Sequence, residues 1–198
     1  IFIHALSCLG VETGYFATVG KDDFGKCLVD KLIRSKVRTD WITCLDDWTT
    51  GVAFTHFRSD GSREFIYHSG NAAVGQLGPE NLDIEALKHC EWLHLCGNVL
   101  GISGKTRAAS YEAARIVSEH GGRISFDPNI RFELMQPEEV WPLCGPIVKK
   151  AEIVLPSGVE AMHLTGEPDE DSACRKLLEK GPSIVALKRG ELGSKVFT

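Results

Sequence analysis

One stretch of the chain carries an acid, an amide and a guanidinium within five positions. Asp127, Asn129 and Arg131 follow an apolar run that ends at Phe126. The planar guanidinium of an arginine can bind a carboxylate or a phosphate through two parallel hydrogen bonds. The alternative is an Asp-Pro turn closed by the Asp127 side chain, with Arg131 in solvent. We favour anion binding for Arg131 and keep both interpretations for the other two residues.

Two further polar clusters also follow apolar runs. Ser157 and Glu160 form the first cluster, and a carboxylate beside a phosphate would suit indirect magnesium binding. The alternative is a helix that the serine caps and whose dipole the acid complements. Lys188, Gly190 and Gly193 form the second cluster, in which glycines let the backbone approach a ligand closely. A simple turn between two strands is the alternative there.

These clusters need a scaffold, and the apolar pattern predicts alternating strands and helices. Strands separated by helices of this length form parallel units, so helices should cover both faces of a mostly parallel sheet. Ligands bind such sheets at the carboxyl ends of the strands, which is where the clusters lie. The predicted strands are 15–19, 39–43, 91–96, 123–126, 152–155, 183–187 and 195–197. The predicted helices are 105–120, 138–150, 157–164, 169–180 and one that Asp22 or Asp23 caps and that ends near residue 35.

One segment interrupts this rhythm. Residues 51–58 and 63–68 alternate between apolar and polar side chains, and the loop Ser59-Asp60-Gly61-Ser62 between them is a hairpin signal. We predict a small β lid at about 49–69, with Thr50 and Gly51 at its start. Strand alternation places Tyr67 and His68 on opposite faces. The alternative is a packed hairpin whose exposed face meets another subunit.

A competing nucleotide motif lies at Gly104-Lys105-Thr106, which follows a predicted strand and precedes a predicted helix. A P-loop requires G-x-x-x-x-G-K-[ST], and Val99 stands where its first glycine belongs. A β-branched residue is poor where such a loop must turn tightly. The start of an ordinary helix is therefore the favoured interpretation, and a P-loop NTPase is an alternative function.

Composition argues against several classes of protein and site. The formal net charge is −5 and the pI about 5.8, without a basic stripe, so nucleic acid is not an expected partner. No apolar run approaches the roughly 20 residues of a membrane span, and no signal-peptide pattern opens the sequence. The seven cysteines are widely spaced and the histidines show no metal-ligand spacing, which favours free thiols over disulfides or zinc. We therefore expect a cytoplasmic protein that has no membrane partner.

Eight segments, taken in order, resemble the ribokinase-like (phosphofructokinase B-type) carbohydrate kinases. Each segment alone is weak, but their order and spacing cover nearly the whole chain. The combination of FIY…AA, LHLCG, DPNIR and LKRG leans toward 2-keto-3-deoxygluconate kinases and related sugar kinases. The segments are LG at 9–10, VGKDDFG at 19–25, TG at 50–51, REFIY…AA at 63–73, LHLCG at 93–97, SFDPNIR at 125–131, LPSGVE at 155–160 and ALKRGELG at 186–193.

The resemblance implies a three-layer αβα sandwich with a β lid, and an enzyme that uses ATP and Mg²⁺ to phosphorylate a primary hydroxyl of a sugar or sugar acid. Ser157 replaces the family's Asn and lacks its amide donor. Lids of this kind often pair in related kinases, which implies a homodimer. Contacts to the substrate are implied for Thr50, Gly51, Tyr67, His68, Asn129 and Arg131. Contacts to the nucleotide are implied for Asp127, Ser157, Glu160, Lys188, Gly190 and Gly193, with Glu160 also serving Mg²⁺ indirectly.

The sequence also predicts one incomplete α/β domain over residues 1–198. The first nine residues read as the end of a helix, and the last two stop inside a predicted strand. The family's glycine-rich substrate loop would precede Ile1, and its GAGD turn, which supplies an anion hole and the aspartate base, would follow Thr198. We therefore expect no catalytic residue in this chain and no efficient phosphoryl transfer. A non-catalytic fragment or binding remnant of the same family is a further hypothesis.

Overall fold

The computed structural model describes residues 1–59, 63–68 and 72–198. The chain divides into two compact units, Ile1–Asp83 and Ile84–Thr198. Three residues of the predicted turn at 59–62, namely 60–62, lie outside the described residues, and so does the end of the predicted lid at 69. None of the described helices is long and apolar enough to cross a membrane.

The first unit contains a short parallel sheet. Helix α1 (Phe2–Cys8) precedes strand β1 (Ala17–Gly20), helix α2 (Asp23–Arg34) and strand β2 (Ile42–Leu45), and β1 pairs with β2. Asp22 caps α2 as predicted, because its side chain accepts the Gly25 N–H at 2.8 Å. β2 begins later than predicted because the Ile42 N–H bonds to the Thr39 carbonyl, at 3.0 Å, and closes a turn.

The predicted hairpin strands are confirmed in the same unit. Strand β3 (Val52–Phe57) pairs antiparallel with strand β4 (Arg63–His68), and Val52 lies opposite His68. We call these two strands the hairpin. Among the described residues it forms a two-stranded sheet of its own, and its role as a lid stays a prediction.

The second unit is built on a five-stranded sheet whose strands follow chain order. Four strands run parallel and the last is antiparallel, so the α/β class with a mostly parallel sheet is confirmed. The strands are β5 (Trp92–Cys96), β6 (Arg123–Asp127), β7 (Ile153–Val154), β8 (Ile184–Lys188) and β9 (Ser194–Phe197). The helices are α3 (Ile84–Lys88), α4 (Gly104–Glu119), α5 (Val140–Val148), α6 (Gly158–Thr165) and α7 (Glu170–Leu178). α3 was not predicted because five residues are too few for a clear helical period.

The core of the second unit fixes the ends of these strands. Phe126, Val154 and Val185 are fully buried in the middle of the sheet. Val117 of α4 and Leu177 of α7 are equally buried. Because the residues just before the polar clusters pack in this core, the clusters are held at the carboxyl edge of the sheet.

Candidate functional site

An ion pair joins the carboxyl ends of β6 and β8. The Lys188 Nζ lies 2.7 and 2.8 Å from the two Asp127 carboxylate oxygens. Asp127 also accepts the Asn129 N–H at 3.1 Å, so the Asp-Pro turn is present as well. The lysine side chain is 44% exposed and the aspartate 27%, which leaves the cation accessible at the sheet edge. The turn and a binding role are therefore compatible.

The loop after β6 packs directly on the end of β5. The Asn129 amide donates to the Cys96 sulfur at 3.1 Å, and Asn129 holds a backbone φ of +38°. Few residues other than glycine adopt that region, and strained positions of this kind cluster at functional sites. Burial raises the pKa of the Cys96 thiol. Arg131 lies half-buried in the same loop, and its carbonyl accepts two backbone N–H groups.

Glu160 connects the loops that follow β6 and β7. One carboxylate oxygen accepts the Ile130 N–H at 3.0 Å, and the other accepts the Ser157 N–H at 2.6 Å. The Ser157 hydroxyl accepts the Glu160 N–H at 3.3 Å, which completes a capping box at the start of α6. The predicted helix cap is confirmed, and the magnesium role of Glu160 stays a prediction.

Lys188, Gly190 and Gly193 lie at the turn between β8 and β9. The two glycines have φ of +59° and +81°, a region that glycine enters without steric cost. The Lys188 N–H bonds to the Pro156 carbonyl at 2.8 Å, so this turn also touches the loop before α6. The simple-turn geometry is present, and the predicted contact with a nucleotide is untested.

Sequence reasoning missed His94 of β5, which lies close enough to the Asp127–Lys188 ion pair for both charges to act on it. Its Nδ1 is 2.9 Å from the Ser125 hydroxyl, its register partner on β6. Burial lowers the pKa of His94 to about 4, with Asp127 opposing and the Lys188 charge adding to the shift. Strand alternation could have revealed this residue, since it lies two positions before Cys96 and so on the same face.

We expect His94 to make the protein less stable in mild acid. The unfolded chain binds the proton near the ordinary pKa of 6.5 and the folded chain near 4, so stability falls as the pH falls between these values. The loss should be about 2 kcal/mol after discounting for solvent screening. Urea unfolding of the protein and of His94→Gln at about pH 7 and about pH 5 measures it. His89→Gln is the control, and it should lose as much stability in acid as the parent protein. An equal loss in the parent and in His94→Gln would contradict this origin, and so would a loss that shrinks only in His89→Gln.

In the first unit, Thr50 is committed to hydrogen bonds at the base of the hairpin. Its hydroxyl lies 2.7 Å from one Asp22 oxygen and its N–H 2.7 Å from the other. The hydroxyl also accepts the Gly20 N–H at 2.9 Å. Gly51 lies next to it, and a Cβ there would sit 3.0 Å from Val74. Direct contacts of Thr50 and Gly51 with a substrate stay predictions.

A pocket of about 440 Å³ lies at the base of the hairpin. His68 faces it and packs edge-on against Phe54, with ring centroids 5.8 Å apart. Tyr67 stacks instead on Phe65, at 5.9 Å, and is not among the lining residues. Phe24 and Phe54 were not predicted as site residues, although strand alternation places Phe54 on the His68 face. The described residues that line it are Asp22, Phe24, Thr49, Thr50, Val52, Phe54 and His68.

The geometry argues against the P-loop alternative. The Thr106 hydroxyl, which would hold Mg²⁺ in a P-loop, is buried and donates to the Val99 carbonyl at 2.8 Å. Ser103 caps α4 through the Thr106 N–H at 3.1 Å. The segment is therefore an ordinary capped helix start.

Comparison with known proteins decides the family. The sequence matches the profile of the pfkB family carbohydrate kinases over residues 2–198. The chain belongs to this family. The family prediction is thereby confirmed.

Two relatives that the chain resembles are named as fructokinases. It is 31% identical to "Probable fructokinase-2" of Arabidopsis thaliana over 98% of this chain and 59% of that protein. It is also 31% identical to "Fructokinase-1" of Zea mays, over 98% of this chain and 60% of that protein. The chain therefore spans about three fifths of the length of these relatives. They do not support the specific lean toward 2-keto-3-deoxygluconate kinases.

Solved structures show the same fold. A candidate ribokinase II from E. coli, solved in complex with ATP and Mg²⁺, is 34% identical to this chain with a TM-score of 0.91. That match covers 100% of this chain and 63% of the other. The ribokinase-like fold implied by the sequence motifs is thus confirmed for this pfkB family chain.

Proposed function

We propose that this chain binds a neutral sugar, fructose or a close relative, and Mg-ATP, as part of a pfkB family carbohydrate kinase. The observation that carries the proposal is the convergence of three separate motifs at one edge of one sheet. Asp127 meets Lys188, and Glu160 holds the loop that follows Asp127. The names of the fructokinase relatives and the ATP and Mg²⁺ bound to the E. coli structure support it.

The nucleotide role rests on charge at the sheet edge. Lys188 is partly exposed and carries the cation that a phosphate needs. Arg131, in the neighbouring loop, offers a bidentate fork for the same anion or for the substrate. Gly190 and Gly193 leave the backbone beside Lys188 without side chains. Asn129, held in its turn, would contact the substrate hydroxyls.

The donors at this edge fit Mg²⁺ held through water and phosphate rather than in a protein cage. Among the described residues, no group of three or more His, Cys, Asp or Glu side chains is placed to hold a metal ion. Each Glu160 oxygen already accepts one backbone N–H and keeps lone pairs for a water ligand. Mg²⁺ commonly binds through one or two carboxylates and substrate phosphates. When bound, it neutralises charge on the phosphates.

The pocket at the hairpin favours a neutral sugar over a sugar acid. Hydrogen bonds from the Thr50 and Gly25 backbone lower the pKa of Asp22, so its carboxylate stays ionised. That charge would repel an acidic substrate, while Phe24 and Phe54 offer apolar faces to a sugar ring. A 2-keto-3-deoxygluconate-like acid is the second candidate, since Arg131 could pair with its carboxylate.

Calorimetric titration tests this assignment. The protein should bind fructose more tightly than 2-keto-3-deoxygluconate, and should bind Mg-ATP. Tighter binding of the acid would favour the second candidate. Binding of neither sugar would contradict the proposed function. A product assay with fructose and Mg-ATP would separate a kinase from a non-catalytic member of the family, and we assign only binding roles to the residues of this chain.

We expect Lys188→Met to weaken Mg-ATP binding by about tenfold to a hundredfold, the range for losing a charge-assisted hydrogen bond. Sugar affinity should stay unchanged. Lys26→Met is the matched control, because Lys26 forms a comparable ion pair with Asp30 on the exposed side of α2. Titration of Mg-ATP into the three proteins measures the effect. Equal ATP affinities for all three would remove Lys188 from the nucleotide site.

Three broader expectations accompany the proposal. We propose that residues 1–198 belong to a single kinase domain, of which they form an incomplete part with a hairpin lid, and that the protein is cytoplasmic. We also propose a homodimer that pairs through the hairpin. Phe57 and Ile66 support the pairing, because both are large, apolar and more than half exposed on this element and neither lines the pocket.

A further inference from the structure

A hydrogen-bonded cluster around Asp22 holds the segment of residues 49–51, which leads into β3 and which we call the first stem of the hairpin. The carboxylate accepts the Gly25 N–H at 2.8 Å and the Thr50 hydroxyl at 2.7 Å through one oxygen. Its other oxygen accepts the Thr50 N–H at 2.7 Å. The Thr50 hydroxyl in turn accepts the Gly20 N–H at 2.9 Å. The Asp22 and Thr50 side chains together thus tie the end of β1, the start of α2 and the residue two positions before β3.

The segment of residues 72–73, which follows the hairpin and which we call the second stem, is also bonded to β1. The Ala73 N–H donates to the Thr49 carbonyl at 2.8 Å, and the buried Thr18 hydroxyl donates to the Ala73 carbonyl at 2.5 Å. Thr49 and Ala72 form a parallel bridge. Thr18 and Gly20 both belong to β1, so the described parts of both stems are held by the same strand.

The backbone segments that meet at Thr50 are packed too closely for the first stem to move by itself. A Cβ at Gly20 would lie 2.6 Å from the Thr50 nitrogen and 2.4 Å from the Trp48 carbonyl oxygen. A Cβ at Gly25 would lie 2.2 Å from the Gly20 carbonyl oxygen. Because these close approaches are to backbone atoms, the stem cannot shift without moving β1 or α2.

We propose that Asp22 is a positioning residue that sets the sugar-facing wall of the pocket through the hairpin stem. The stem continues from Thr50 into Val52, Phe54 and, across the strand pair, His68, which form that wall. The identity of the ligand as a sugar rests on the proposed function. The inference that Asp22 anchors the stem rests on the hydrogen bonds and on the close backbone approaches at Gly20 and Gly25, and does not depend on the ligand.

Asp22→Asn separates the stem anchor from the helix cap. Asparagine caps helices as well as aspartate, so the oxygen that serves Gly25 and the Thr50 hydroxyl is kept. The other oxygen becomes an NH₂ group that faces the Thr50 N–H and cannot accept from it. Asp23→Asn is the matched control, since it changes the same charge at an exposed neighbour outside the pocket lining.

Hydrogen–deuterium exchange of the whole protein tests the anchor. In Asp22→Asn, the backbone amides of β3 and β4 should exchange at least about tenfold faster, while those of α2 keep their rates. Thr50→Val removes the hydroxyl and should act the same way, and Thr50→Ser should restore slow exchange. Unchanged hairpin exchange in both Asp22→Asn and Thr50→Val would overturn the proposal.

Fructose titration tests the consequence for binding. Asp22→Asn should weaken fructose binding by about tenfold or more, with Mg-ATP binding unchanged and Asp23→Asn equal to the parent. Weaker fructose binding without faster hairpin exchange would make Asp22 a direct sugar contact and overturn the positioning role. If the parent protein binds no fructose, the proposed function fails, and the exchange rates alone still decide whether Asp22 anchors the stem.

Discussion

Replacing Gly97 with alanine should destabilise the protein by about 2 to 3 kcal/mol and abolish binding at the sheet edge. Gly97 follows β5, and a Cβ there would lie 2.2 Å from the Pro128 carbonyl oxygen and 3.0 Å from the Phe126 ring. The obstacle is backbone, so the loop that carries Asp127 and Asn129 must move. Urea unfolding and Mg-ATP titration measure the two effects.

Gly104→Ala is the matched control for this change. Gly104 begins α4, and a Cβ there meets no atom within 4 Å. Alanine at this position should leave ligand binding intact and change stability by no more than about 1 kcal/mol, in the stabilising direction. If Gly97→Ala behaves like Gly104→Ala, the tight approach of the β5 end to the Pro128 carbonyl is not a constraint on the site.

Replacing Glu160 with alanine should have the second large effect. The change leaves the Ile130 and Ser157 N–H groups without their acceptor, at a cost of about 2 to 4 kcal/mol. The loops after β6 and β7 should separate, so Mg-ATP affinity should fall more than tenfold. Thermal unfolding and calorimetric titration measure these losses.

A graded pair of variants separates the structural role of Glu160 from a magnesium role. Glu160→Gln keeps one acceptor oxygen and should lose about half of the stability that Glu160→Ala loses. Glu133→Ala, an exposed acid near the end of the β6 loop, should change neither property. If Glu160→Gln keeps full stability yet needs much more Mg²⁺ for ATP binding, the carboxylate serves the metal rather than the loops.

The elements of the fold could be predicted because their signals are local. The strands β5, β6 and β8 coincide within a residue or two with apolar runs, and the caps at Asp22 and Ser157 are formed by side chains within three residues of their partners. Strand ends are therefore visible in the sequence, and so are the polar residues that follow them. This is why Asp127, Glu160 and Lys188 could be singled out as one candidate site.

Their individual partners could not be predicted. Thr50 was expected to meet a substrate, yet its hydroxyl and N–H both bond to Asp22, 28 positions away. Tyr67 and His68 were both candidates, and only the register of the hairpin decided that His68 faces the pocket. Burial lowers the pKa of His94, and no residue next to it in the sequence predicts that burial.

The sequence by itself determined the α/β class, the family and the strand ends at which polar residues collect, because periodicity, caps and turn residues act over a few positions. Only the tertiary structure decided which of these residues meet. Lys188 reaches Asp127 across 61 positions, and Glu160 reaches the Ile130 N–H across 30. Such pairs depend on strand order and core packing, which set distances that sequence separation does not encode.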